Sequence, residues 1–149
     1  MSAAAFDTSV IVAALVREHP EHTRARALVE FVATGLADVA MACPAPAIVA
    51  AHLVGIGADE RWATERARDV LAMFRMLDVT SEDATQALAD AASGDHAVDL
   101  AAASLRRHGV RRVVAAADRL EAFAAAGIAE ALSIADTDAR IEVLIPEGP

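Results

Sequence analysis

Four aspartates supply the side chains from which a hydrolytic site can be built: Asp7 near the start of the chain, Asp95 and Asp99 in its second half, and Asp118 beyond them. Asp7 stands in an aliphatic run, FDTSVIVAAL, and two hydroxyls, Thr8 and Ser9, follow it directly. A carboxylate in such a run is costly to desolvate unless it lies at a strand end, meets a partner or binds a cation. Asp95 and Asp99 are four residues apart in DHAVDLAAASLRRHG. On a helix this spacing turns them about 40° apart and separates them by roughly 6 Å along the axis, so that they face a common side. Like charges so placed repel unless a cation sits between them. If Asp7 reaches the same rim, three or four carboxylates share one hollow, and a hard divalent ion, Mg²⁺ or Mn²⁺, offsets their repulsion. Each acid also has a plainer reading: Asp95 and Asp118 as helix caps, Asp99 as a solvent-facing residue, Asp7 as a solvated strand end.

The elements that must position these residues alternate. Phe6 to Val16 reads as a short buried strand passing into a helix near Val12, with Asp7 at or beside the beginning of the strand. A helix restarts after Pro20, with Thr23 as a cap and Gly35 as its stop. LADVAMACPAPAIVAAHLVGIG opens as a second strand, breaks at Pro44 and Pro46, and continues as a helix of small residues. ADERWATERARDVLAMFRML is an amphipathic helix with a stripe of Trp62, Val70, Leu71, Phe74 and Leu77, followed by a short strand near Asp78 to Thr80. Ser81 caps the next helix, Gly94 interrupts it, and DHAVDLAAASLRRHG forms another that ends at Gly109. VRRVVAAAD is a strand ending on Asp118, RLEAFAAAG a short helix, and the remainder holds one or two further short strands. Strands alternating with helices of this length predict βαβ units: an α/β protein, three-layered α/β/α, with a central and mainly parallel sheet of four to five strands. In such a sheet chemistry collects at the carboxyl ends of the strands, near a switch in strand order. Asp95 and Asp118 fall on that rim.

Composition agrees with one domain spanning residues 1–149. Hydrophobic residues make up 56% and aromatics only 3% of the chain, which favours closely packed, alanine-rich helices over a β-sandwich. No apolar stretch reaches the ~18 residues that span a bilayer, and no positively charged segment precedes the first apolar run, so the expectation is a cytoplasmic protein without a membrane partner. The single cysteine, Cys43, has no internal partner and is expected to be a small buried hydrophobe. The net charge is −9 and all 13 basic residues are arginine. So acidic a chain repels a phosphate backbone, and nucleic acid would have to be met by a local arginine patch, a bridging metal or a basic partner. Arg106, Arg107, Arg111 and Arg112 form the one dense cluster and are the candidate RNA-binding patch; their plainer role is to face the negative end of a helix dipole. The apolar stripe at Val70, Leu71 and Phe74 and the small-residue helix Ala47 to Val54 point to a homodimer, with packing inside the monomer as the alternative.

Order and spacing of FDTSVIVAAL, DHAVDLAAASLRRHG and VVAAADRLEAFAAAGI resemble the PIN domains, and in particular the VapC-type toxins of toxin–antitoxin pairs, over nearly the whole chain. The resemblance implies a Mg²⁺-dependent (or Mn²⁺-dependent) endoribonuclease, usually dimeric and neutralised by a cognate antitoxin. It makes Asp7, Asp95 and Asp118 catalytic metal ligands and Asp99 an adjacent or alternative ligand, with Thr8 or Ser9 helping to position them. Two positions depart from the family pattern. PAPAIVAAHLVG carries no acid where a glutamate is usual, with His52 nearest to that place, and Ala116 stands where a threonine or serine is common. Imidazole is a poor ligand for hard magnesium, so His52 is at most a supporting residue.

The chemistry so implied is metal-assisted phosphodiester hydrolysis by an ion-bound water, without a covalent nucleophile. There is no GxxxxGK loop, no GxGxxG, no GxSxG elbow and no cysteine pair for zinc. His19, His22, His96 and His108 are scattered and read as surface or cap residues. A second class of function is a PIN-like domain with a depleted acidic pocket that acts through protein or RNA binding without cleavage. A third is a nonenzymatic regulatory α/β domain in which Asp7 or Asp118 is merely a helix cap.

Overall fold

The computed structural model describes residues 4–145. Its order is β1 (Ala4–Phe6), α1 (Thr8–Leu15), α2 (His22–Ala33), β2 (Val39–Ala42), α3 (Ala45–Gly55), α4 (Glu60–Met73), β3 (Arg75–Leu77), α5 (Ser81–Asp90), α6 (His96–Arg107), β4 (Arg112–Ala115), a 3-10 turn at Ala117–Arg119, α7 (Leu120–Ala125), β5 (Glu130–Ser133), α8 (Ile134–Ala139) and a last 3-10 turn at Ile141–Leu144. The five strands form one sheet in the order β3-β2-β1-β4-β5, and every pairing is parallel.

Strand side chains alternate between two cores, as a period of two residues requires. Ala4, Phe6, Val39, Met41 and Val114 face one side with Val10 and Val49. Ala5, Ala40, Val113 and Ala115 face the other, against Val98, Ala102, Leu105 and Phe123 of α6 and α7. Buried on both faces, the inner strands β2, β1 and β4 read as largely apolar runs, and the small residues Ala5, Ala40 and Ala115 let the helices come close. The chain winds outward from β1 to β2 and β3, returns across the sheet, and continues through β4 to β5. The switch in strand order therefore lies between β1 and β4.

Several expectations from the sequence shift. The first strand ends at Phe6 instead of running into the aliphatic stretch, and α1 begins at Thr8. Asp7 therefore ends a strand and does not begin one: its carboxylate accepts from the backbone N–H of Ser9 and caps α1, so the acid and hydroxyl start a helix where a strand was expected to continue. The third strand lies at Arg75–Leu77, three residues ahead of the expected place, because Thr80 forms a capping box with Asp83 and commits the following residues to α5. Thr80, not Ser81, is that cap, and α2 starts at His22, ahead of Thr23. After β5 the chain turns helical without a further strand among the described residues. Cys43 is exposed, since it stands in the turn between β2 and α3. Val70 and Phe74 are buried within the monomer, whereas Leu71 of the same stripe is 57% exposed. No helix among the described residues is long and apolar enough to cross a membrane.

Candidate functional site

The switch point gathers residues from three distant parts of the sequence. Asp7 follows β1 and its backbone N–H donates to the carbonyl of Val114 in β4 at 2.9 Å, which brings the ends of the two strands together. Ser9, in the first turn of α1, accepts from the backbone N–H of Ala116 at 3.0 Å through its Oγ. That bond ties the start of α1 to the segment that leads into Asp118. Asp95 caps α6, its Oδ1 accepting from the backbone N–H groups of Ala97 and Val98 at 3.0 and 3.2 Å. The capping role read from the sequence holds for Asp95, and its other oxygen remains turned toward the rim.

Between these acids lies a side chain that the sequence reading did not single out. Arg119, in the turn after β4, donates through Nε to Asp7 Oδ2 at 2.6 Å and through Nη2 to Asp7 Oδ1 at 3.4 Å. Its Nη1 stands 3.8 Å from Asp95 Oδ2. Burial opposes the charge of Arg119, but the fields of Asp7, Asp95 and Asp118 more than offset it and hold the guanidinium further in its charged form. Asp7 is 8% exposed, so its carboxylate is kept out of water and satisfied by Arg119 and the Ser9 N–H. Asp118 is exposed and makes no hydrogen bond or ion pair among the described residues. The one cue in the sequence to Arg119 was its place directly after Asp118 in a turn that follows a strand.

Two adjoining hollows open on this rim. One, of about 230 Å³, is mostly apolar and takes in Asp7, Thr8, Ile48, His52, Ala97 and Arg119. The other, of about 280 Å³, is lined by Ser9, His19, His52, Ala116, Asp118 and Arg119, among others. Both are bounded on one side by α3, which contributes Ile48 and His52 but no carboxylate. His19 has its Nδ1 engaged by the backbone N–H of Glu21 at 3.1 Å, leaving Nε2 as the nitrogen that carries a proton.

Asp7, Thr8, Ser9, His52 and Asp118 thus share one rim, with Asp95 joined to it through Arg119. Asp99 does not share it. Contrary to its plainer reading it is 3% exposed, and contrary to its expected role beside Asp95 it lines neither hollow. Its Oδ1 accepts from the backbone N–H of Ser93 at 3.1 Å, pinning the loop between α5 and α6, and its buried Oδ2 has no partner. Residue 95 lies just outside the helix, so the helical spacing that would align the two carboxylates does not apply to it.

The arginine cluster also lies elsewhere. Arg112 begins β4, at the amino ends of the strands, and Arg107 ends α6, about 18 Å along that helix from Asp95, where its Nη2 donates to the carbonyl of Asp78, just beyond β3, at 3.0 Å. Arg107 is locked to Asp83 by Nε–Oδ1 and Nη2–Oδ2 contacts of 2.8 and 3.0 Å. Arg112 is bonded to Glu130 at 2.7 Å, and Arg106 stands 3.6 Å from Asp90. Local carboxylates thus neutralise three of the four; only Arg111 is exposed without an ion pair among the described residues. None of the four lines the hollows that take in Asp7, Asp118 and Arg119.

Whether the acids fit a divalent ion can be tested on their geometry. Among the described residues no three histidine, cysteine, aspartate or glutamate side chains converge closely enough to hold one ion. The only largely buried carboxylate of the rim, Asp7, is already bonded to a guanidinium. As arranged, the donors do not fit a metal site.

The fold is PIN-like: a five-stranded parallel sheet flanked by helices. Among solved structures, VapC20 of Mycobacterium tuberculosis, a sarcin-ricin loop cleaving toxin, matches with a TM-score of 0.67 and 20% sequence identity, covering 85% of this chain and 96% of that one. No family model matches the sequence, and no curated protein does. At this identity the likeness shows the fold, a VapC-like PIN fold.

Proposed function

We propose that this chain is a VapC-type endoribonuclease that hydrolyses RNA phosphodiester bonds, with Asp7, Asp95 and Asp118 as its acids and, of Thr8 and Ser9, Ser9 as the positioning residue. The observation that carries the reading is the meeting of Asp7, Asp95 and Asp118 around Arg119 at the β1–β4 switch point of a fold shared with VapC20. A divalent ion, Mg²⁺ or Mn²⁺, is the cofactor such acids call for, although their present arrangement does not form its site. Of the three acids Asp118 is the one both exposed and unpaired among the described residues, which suits it to accept a proton from water. Asp7 instead positions the turn after β4 by holding Arg119. The partners that follow are a structured RNA, a second copy of the chain and a basic antitoxin that complements the −9 charge, in the cytoplasm.

A second reading, binding of RNA or protein without cleavage, is favoured by a specific observation. Arg119 occupies Asp7, and α3 offers Ile48 and His52 where an acid would complete the set. Incubation of the purified chain with an end-labelled RNA hairpin of the sarcin-ricin type, in Mg²⁺, in Mn²⁺ and in chelator, separates the two. Discrete cleavage that disappears in Asp118→Asn and Asp7→Asn supports the enzyme. A gel shift without cleavage under all three conditions supports the binding domain, and neither cleavage nor a shift overturns both.

A further inference from the structure

Arg119 is a cation held where the acids of the rim would otherwise need one. Its side chain is 29% exposed and that of Asp7 only 6%, so the pair is largely withdrawn from water and its contacts are charge-assisted hydrogen bonds of the stronger kind. The other neighbours repeat the pattern: Nη1 lies 3.8 Å from Asp95 Oδ2, and the field of Asp118 also favours the charged guanidinium. Three carboxylates against one guanidinium leave the rim net negative, so a divalent ion is drawn toward it. Yet the carboxylate best shielded from water, which would bind an ion most tightly, already has its oxygens engaged by Arg119 and Ser9. The acids that remain, Asp95 with a side chain 44% exposed and the exposed Asp118, keep their water and hold a hard ion weakly on their own.

We infer that Arg119 is the resident cation of this site and excludes a divalent ion from Asp7. Guanidinium and ion are alternative occupants, and an ion is taken up at Asp7 only when Arg119 leaves it. The competition goes beyond the ribonuclease reading and is measured without reference to cleavage, so the failure of either leaves the other standing.

Mn²⁺ binding to the purified chain, followed by loss of the free-ion electron paramagnetic resonance signal, tests the competition. Arg119→Gln keeps a neutral donor for Asp7, and Arg119→Met keeps an unbranched stem without a donor, so one of the two is available should the other fold poorly by circular dichroism. Either is expected to bind one Mn²⁺ per chain about tenfold or more tightly than the wild type, the factor a charge-assisted hydrogen bond of ordinary strength withholds. Arg119→Lys, which retains a cation, is expected to stay near the wild-type affinity. Adding Asp7→Asn to Arg119→Gln is expected to abolish the gain. Wild-type protein that binds Mn²⁺ as tightly as Arg119→Gln, or folded Arg119→Gln and Arg119→Met that show no gain, would overturn the inference.

Discussion

Replacing Ser9 with alanine removes one oxygen atom, and the structure shows what that atom holds. Ser9 Oγ accepts from the backbone N–H of Ala116 at 3.0 Å, and Ala116 is 6% exposed. A buried donor left without an acceptor costs about 1–3 kcal/mol. Ser9 itself is only half-buried, which lets water take over part of the bond and brings the expected loss to about 1–2 kcal/mol. In a chain of this size that lowers Tm by roughly 3–6 °C. Urea unfolding at neutral pH followed by circular dichroism measures the loss, with Thr8→Ala alongside as the control. The Thr8 hydroxyl makes no hydrogen bond among the described residues, and its removal is expected to stay within about 0.5 kcal/mol. A Ser9→Ala midpoint equal to that of the wild type, or an equal loss in Thr8→Ala, would refute the role given to this hydroxyl in tying α1 to the segment before Asp118.

Three further outcomes follow from the same structure. The Arg107 guanidinium, with burial opposing it and the Thr80 N–H adding to it, holds the Asp83 carboxyl down from 3.8 to about 2. A depressed acid contributes stability that is fully present above its unfolded value and lost as pH falls through the folded one, so stability should decline between about pH 4 and pH 2, and Arg107→Gln should flatten that decline in urea titrations. Ala91 closes α5 with φ of 41°, a left-handed conformation that strains any residue with a Cβ; Ala91→Gly is expected to raise stability by about 0.5–1 kcal/mol, and a loss in thermal melts would contradict it. Arg106 and Arg111 lie at the amino edge of the sheet, so the double replacement by alanine should leave RNA affinity and its salt dependence unchanged in filter binding; a shallower salt slope would place RNA on that edge instead.

Much of the architecture was legible in residue order because it rests on local rules. Alternating apolar runs and alanine-rich helical segments, punctuated by Gly35, Gly94 and Gly109, specify strands and helices in turn; Gly35 and Gly109 take the positive φ just past the ends of α2 and α6, and Gly94 takes it in the loop between α5 and α6. The parallel sheet and the capping role of Asp95 follow from that pattern. Boundaries were less legible where two local rules compete: Val10 and Ile11 suit a strand, but Asp7 bonded to the Ser9 N–H nucleates a helix, and the cap prevails.

Which charges meet was decided only by the tertiary structure. Asp95 and Asp99 are four residues apart yet diverge, one capping α6 at the rim and the other buried against the Ser93 loop. Asp7 and Arg119 are 112 residues apart yet bonded, because β1 and β4 are neighbours in the sheet and end at the same level. The arginines at 106, 107, 111 and 112 are close in sequence, but Arg111 and Arg112 fall at the start of β4 and Arg107 turns to Asp78 and Asp83 beyond β3; none lines the rim, and nearby carboxylates neutralise three of the four. Residue types alone determine that this chain has acids to spare. Electrostatic partnership depends on distance across elements, which no one-dimensional spacing encodes, and so the packing of β4 beside β1 determines that one of those acids already has its cation.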